Sequence, residues 1–283
     1  MYALASGVNC RAIVYRRDWA ETPVEGWGVQ EFGEWAASMV GPNRYAFGFE
    51  AKTGDGRGSS NVLPMLWSAG GNTVVGEPGA FELGFDAEVL TTMYQFYYDM
   101  VHTYGATTTD VATWGWEETD GGFSEGILGA YSVGPWIKSV AEQYPEVHEN
   151  IGVAPLPNLG TPSTFWECSS YMIHADSKKQ EKAWEFLLVR GEEYQSEVTV
   201  ARGGLSPLKA LNQGTIESDP EYLGVFAQQL EIAGEPAPVP AQPFMNNLFY
   251  PAMQELVLRG TDPAEMAETT MTQAEAVLAE VNG

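Results

Sequence analysis

Along this chain, short β-branched runs alternate with longer stretches in which apolar residues return every three or four positions. Residues 9–15 end in Ile13, Val14 and Tyr15 and predict a strand. Over 29–39, Val29, Phe32, Trp35, Ala36 and Met39 share one helical face, and Gly41-Pro42-Asn43 stops that helix. Alternation over 45–49 predicts a short strand, and the Gly- and Ser-rich residues 52–61 predict a loop. A helix follows over 61–69, ended by Gly70-Gly71. Another spans 89–104, with Val89, Met93, Phe96, Tyr97, Met100 and Tyr104 on a broad face. Residues 123–128 read as a short helix stopped by Gly129, ahead of strands at 130–133 and 151–154. A third apolar run covers 165–173, and 179–189 is helical through Ala183, Phe186 and Leu187. Residues 203–207 break the chain; 220–232 is helical, and Glu221 suits its first turn. Four prolines make 234–243 an extended loop, and helices over 246–258 and 262–281 close the sequence. No segment repeats. Short strands between longer helices give an α/β class in which helix dominates.

Composition narrows the function. The 283 residues suffice for one large domain or two ordinary ones, and 44% apolar content can build a core. A net charge of −24 repels phosphate backbones and anionic headgroups, so nucleic acid is not expected as a partner. That charge serves solubility or a salty medium and names no ligand. No run approaches the roughly 20 apolar residues of a membrane span, so no membrane insertion of this segment is expected. Residues 1–6 lack the positive start of a signal peptide and lead directly into a strand over 2–16. Cys10 and Cys168 are too few for a disulfide scaffold and lack metal spacing; they read as buried thiols.

Several chemistries can be set aside. Gly122-Phe123-Ser124-Glu125-Gly126 matches a nucleophile elbow in letters, but an elbow needs a strand before the serine and a helix after it. Here the order is reversed, although His148 and His174 could nominally complete a triad. A glycosidase needs two carboxylates about 5–9.5 Å apart, which 38 acidic residues satisfy by chance. His102, His148 and His174 are isolated. Glu117-Glu118-Thr119-Asp120 lacks the alternating ligands of a calcium loop and reads as an exposed acidic turn. There is no phosphate-binding loop. No metal, cofactor or catalytic residue is expected.

Five pieces occur in one order. They are residues 7–18 (GVNCRAIVYRRD), Phe123-Ser124-Glu125-Gly126 leading to Ser132-Val133-Gly134-Pro135-Trp136, residues 151–157 (IGVAPLP), Thr164-Phe165-Trp166, and residues 182–187 (KAWEFL). The ordered set resembles the family-1 extracellular solute-binding proteins of ABC importers, the sugar-binding group that includes maltose-binding protein. The resemblance runs from about residue 2 to the C-terminus. It implies a periplasmic-binding-protein-like type II fold, in which two α/β lobes are joined by crossover strands and close over ligand in the cleft. It further implies that residues 1–15 are a crossover strand and that 16–163 and 216–283 form the C-terminal lobe. Residues 164–215 would be the second crossover and part of a first lobe that is incomplete here, without the export signal such proteins carry. The expected partners are a small-molecule sugar and the transmembrane subunits of an ABC permease. The expected location is periplasmic or extracellular, free or lipid-anchored. A residual first-lobe helix carrying Trp184, Phe186 and Leu187 would expose apolar surface.

Sugar sites combine aromatic platforms for the pyranose face with directed polar groups for its hydroxyls. Trp136, after Gly134-Pro135 at a strand-to-helix turn, is the first candidate, because the tryptophan of this Gly-Pro-Trp stacks on ligand in the resembling proteins. Trp166 and Glu167 lie on the second crossover, where alternation forbids both from facing one way. Asn9 lies on the first crossover. Phe249 and Tyr250 precede the penultimate helix, where the family often has a stacking aromatic, and Asn246 and Asn247 are nearby polar candidates. Glu50, Asp55 and Arg57 occupy a loop that rims the cleft in similar proteins; Trp67 is expected in the core. If the crossover strands are neighbours, Cys10 and Cys168 fall close enough to raise a hinge disulfide. A carbohydrate-active hydrolase and a non-transport binding module on the same fold stay open as alternatives.

Overall fold

The computed structural model describes residues 3–23, 26–192 and 204–283. Tyr2 and Gly203, expected at the start of a strand and of a chain break, lie outside them. In chain order the first elements are β1 (Ala3–Cys10), β2 (Ala12–Arg16), α1 (Val29–Ser38), β3 (Tyr45–Gly48) and α2 (Ser59–Ser68). A hairpin of β4 (Val74–Glu77) and β5 (Ala80–Leu83) leads to α3 (Ala87–Tyr98) and α4 (Trp116–Ser124). Next come β6 (Leu128–Val133), α5 (Ile137–Val140), α6 (Pro145–His148), β7 (Ile151–Ala154), β8 (Trp166–Met172) and α7 (Gln180–Glu192). The longer helices that follow are α8 (Gln213–Ser218), α9 (Leu223–Glu231), α10 (Tyr250–Arg259) and α11 (Pro263–Asn282).

Arg11 alone separates β1 from β2, and the two strands join different sheets. The run that reads as one strand is therefore cut at Arg11, four residues before the expected boundary at 15. β1 pairs with β8 in an antiparallel ribbon running from Cys10 opposite Trp166 to Ala3 opposite Met172, with a bulge between Ala5 and Gly7, and Val8 also bridges to Leu205. β2 lies inside a four-stranded sheet ordered β3-β6-β2-β7, antiparallel to both neighbours, with β3 parallel to β6.

Alternation along β2 builds two cores. Ile13 and Tyr15 face a layer containing Phe32, Leu66, Met93, Phe96, Leu256 and Ala274, from α1, α2, α3, α10 and α11. Ala12 and Val14 face Phe123, Ile137, Val147 and Phe226, from α4, α5, α6 and α9. A strand covered by helices on both faces needs apolar residues at successive positions, which is why Ala12–Tyr15 reads as a run rather than an alternation.

The β4–β5 hairpin was not expected. Its turn is Pro78-Gly79, with Gly79 at φ +85°, the backbone that the third residue of a type II turn requires. The helix read at 123–128 is misplaced: α4 begins at Trp116, and Leu128 already belongs to β6. Glycines at 121 and 122 inside α4 weaken its sequence signal. The helix expected over 89–104 ends as a π-turn at Asp99–Thr103, and another π-turn, Met245–Phe249, leads into α10. On α7, Leu187 is buried, whereas Trp184, Phe186, Leu188 and Val189 are exposed, as is Met172 at the far end of the ribbon.

Candidate functional site

The root of the ribbon is where distant segments meet. Arg11 is 2% exposed and lies between the two sheets. Its main chain is held by residues preceding β8: the Arg11 amide donates to the Phe165 carbonyl at 3.1 Å, and the Thr164 hydroxyl donates to the Arg11 carbonyl at 2.6 Å. Its Nε donates to the Ser60 hydroxyl at 2.9 Å. Its two terminal nitrogens face Glu167 Oε1 and Oε2, each at 3.4 Å. The guanidinium lies over the Trp136 ring at 4.8 Å and the Phe165 ring at 5.5 Å. Burial pulls the Arg11 pKa down, and the facing Glu167 carboxylate opposes that pull. One side chain thereby gathers the start of α2, the start of β8 and the β6–α5 turn.

Trp136 follows that turn and is half-buried. Its ring folds back over Gly134 so closely that a Cβ there would sit 1.9 Å from it. The ribbon register sets which crossover residues join. Asn9 is opposite Glu167 and shares its face; Cys10 is opposite Trp166 on the other face. Glu167 therefore turns toward Arg11, with Asn9 beside it. Trp166, 40% exposed, stays on the opposite face. The Cys10 thiol donates to the Phe226 carbonyl at 3.2 Å, and burial pushes its pKa up to about 12. Cys10 and Cys168 are both free thiols, so no hinge disulfide is formed.

A second cluster adjoins the first through Ser60, whose hydroxyl donates to the Arg57 carbonyl at 2.7 Å while accepting from Arg11. Arg57 is saturated. Its guanidinium donates to Glu50 Oε1 at 2.7 Å, to Asp120 Oδ2 at 2.7 Å and Oδ1 at 2.8 Å, and to Thr119 Oγ1 at 3.2 Å. Burial alone would lower the Arg57 pKa, but the carboxylates of Asp120 and Glu50 carry it up. Glu50 is buried, which raises its carboxyl pKa against the pull of Arg57, and it accepts from Asn61 Nδ2 at 2.9 Å. Asp55 is likewise committed: Oδ1 accepts from the amides of Arg57 and Gly58, and Oδ2 from the amide of Trp116 at 2.7 Å. As placed, Asp55 and Arg57 shape the loop through hydrogen bonds within the protein.

Two of the expected ligand contacts lie inside the protein. Phe249 and Tyr250 are fully buried. Phe249 packs edge-on against Phe85, and the Tyr250 hydroxyl donates to the Asp55 carbonyl at 2.7 Å, so α10 braces the loop from behind. Asn247 is exposed, and Asn246 accepts from the Gly54 amide at 3.1 Å. Trp67 is in the core, stacked on Phe165 as expected of a packing residue. The acidic turn at 117–120 is divided: Glu117 and Glu118 are exposed, Thr119 is buried and Asp120 turns inward to Arg57.

The sequence reading missed Trp116. It opens α4 and is 47% exposed, yet its backbone is fixed at both ends, the amide by Asp55 and the carbonyl by Arg57. The guanidinium of Arg57 also lies 5.6 Å from its ring. A rigidly mounted, exposed indole beside a polar cluster is a platform for a flat apolar surface. The available signal was Gly115-Trp116-Glu117-Glu118, where Glu118 reaches back to the Gly115 amide as a helix-start signature.

Residues 4–187 match the model of the bacterial extracellular solute-binding proteins. The chain belongs to that family. Proteins of Brucella abortus and Brucella suis described as binding proteins are 21% identical to it, over 98% of this chain and 68% of theirs. Among solved structures, an ABC transporter solute-binding protein of Thermotoga lettingae bound with α-D-tagatose superposes with a TM-score of 0.83 at 17% identity, covering 100% of this chain and 72% of that one. The maltose-maltodextrin binding protein of Alicyclobacillus acidocaldarius gives 0.74 at 19%, covering 97% and 72%. UgpB of Mycobacterium tuberculosis, in complex with glycerophosphocholine, gives 0.73 at 18%, covering 99% and 71%. The fold is therefore that of the type II periplasmic binding proteins. Among the described residues, no helix is long and apolar enough to cross a membrane, and no cluster of three or more His, Cys, Asp or Glu residues could hold a metal ion.

Proposed function

We propose that this chain is the substrate-binding component of an ABC importer, holding a neutral carbohydrate in an interlobe cleft and delivering it to the permease outside the cytoplasmic membrane. The lobe built around the four-stranded sheet supplies one side of the cleft. The β1–β8 ribbon leads to the other. The observation that carries the reading is the cluster at the ribbon root, where Arg11 ties Glu167 to the half-buried ring of Trp136. Trp116 and Trp136 provide aromatic surface; Glu167 and Asn9 provide groups for hydroxyls.

The local charge favours a neutral solute over a phosphate ester. Both arginines in the two clusters are already committed to carboxylates: Arg11 to Glu167, Arg57 to Glu50 and Asp120. A phosphate needs uncommitted guanidinium or ammonium donors. The structures similar to this chain include one bound to tagatose and one in complex with glycerophosphocholine, so the panel of ligands should span both chemistries.

Isothermal titration against monosaccharides, maltodextrins, polyols and glycerophosphodiesters tests the proposal. One neutral sugar or polyol is expected to bind, and Trp136→Ala to weaken it at least tenfold, about 1.4 kcal/mol. Binding confined to the phosphodiesters would reject the neutral-solute reading. Chromatography after long incubation should recover the sugar unchanged; cleavage would make the protein a hydrolase.

A further inference from the structure

Behind the arginine clusters, inside the lobe, lies a small cavity of about 20 Å³. Its wall is mostly apolar, including Ile13, Phe47, Met65 and Phe96, but Asn61, Ser132 and Tyr97 also line it. Asn61 Oδ1 and Ser132 Oγ are buried polar atoms with no hydrogen-bond partner among the described residues. The Asn61 amide is not free to turn over, because its Nδ2 donates to Glu50 Oε2 at 2.9 Å. The buried Tyr97 hydroxyl reaches the Asn61 carbonyl only at 3.5 Å, the outer limit for such a bond. A buried polar atom left without a partner carries a desolvation cost, so native interiors pair nearly all of them. Three polar groups around one small space leave a consistent solution. A single water needs roughly 10–15 Å³ by this measure and two to four polar partners.

We propose that this cavity is a binding site for one ordered water, which donates to Asn61 Oδ1 and is held at Ser132 Oγ. The water completes a buried relay from Arg57 through Glu50 and Asn61 to Ser132. Ser132 lies on β6, opposite Ile13 and shortly before Gly134 and Trp136. The relay thus connects the loop that carries Arg57 to the strand that aims Trp136. It depends on the fold alone and stands whatever the solute proves to be.

A crystal structure of the protein at about 1.5 Å tests this directly. The expected result is one well-occupied peak within about 3.2 Å of both Asn61 Oδ1 and Ser132 Oγ. A featureless cavity, or Asn61 Oδ1 satisfied by a rearranged side chain, would overturn it. In solution, oxygen-17 relaxation dispersion of the unaltered protein and Ser132→Val should differ by one long-lived water; equal counts would refute the site. Should Ser132→Val fail to fold, xenon pressurisation of unaltered crystals serves instead. A dry apolar cavity admits xenon, whereas an anchored water excludes it.

Discussion

Gly134 shows how a single hydrogen atom can decide where an aromatic ring lies. The Trp136 ring occupies the space where any other residue at 134 would place its Cβ. Gly134→Ala is therefore expected to push the ring off Arg11, shift the tryptophan emission and reduce solute affinity about as much as Trp136→Ala. Retained affinity with an unshifted spectrum would show that the ring position is not set by this contact. Asp18 offers a residue-level test in pH. Burial raises its carboxyl pKa, but the forked hydrogen bonds and charge of Arg16, at 2.8 and 2.7 Å, outweigh burial and leave it below the ordinary value of 3.8. The folded-state value is the lower one, so the pair stabilises the protein above about pH 4 and loses that effect as pH falls through the depressed value. The melting-temperature gap between the unaltered protein and Asp18→Asn should be present at pH 7 and close as pH falls through the depressed folded-state value. Partial exposure of Asp18 keeps the gap small. Trp136 was legible in the sequence because Gly-Pro-Trp after a strand is a local pattern. Arg11 was not, because its partners come from positions 60, 136, 165 and 167 and converge only in three dimensions.

Among the elements, those with strong periodicity were readable and those set by turn geometry or glycine were less so. α1, α9 and α11 lie close to where apolar spacing put them. The β4–β5 hairpin carried its own punctuation in Pro78-Gly79, but its strands are four residues each, too short for alternation to stand out. α11 gives the clearest test of a local signal. Asp262 Oδ1 accepts from the amides of Ala264 and Glu265, with Pro263 in the first turn, where its missing amide hydrogen costs nothing. Asp262→Ala should cost about 1 kcal/mol and lower the melting temperature by about 2–4 °C. An unchanged melting temperature would mean that packing of α11 on α3 fixes the helix start without the cap.

For the molecule as a whole, the family was legible because the five pieces fall in one order. The position of the break, at Arg11, was not, since an apolar run continues across it. The exposed apolar residues of α7 have a consequence in solution. Trp184, Phe186, Leu188 and Val189 present apolar side chains on one short helix, with Met172 exposed nearby in the chain. Sedimentation velocity should show mass increasing with protein concentration, and Trp184→Ser with Phe186→Ser should abolish that increase. A concentration-independent monomer would show that these residues do not drive self-association.

The ribbon also bears on how the chain reaches its native state. Ser6 and Ser169, bonded across it, are 163 positions apart, while β2, β6 and β7 are supplied by the sequence between them. Closing so large a loop on a two-stranded ribbon alone would spend more chain entropy than its few pairs return. Once the four-stranded sheet has formed, Arg11 and Thr164 are already adjacent and the same pairing closes a much shorter effective loop. The ribbon should therefore zip late, from the Cys10–Trp166 end outward, and its outer pairs should be the first to exchange their amide hydrogens.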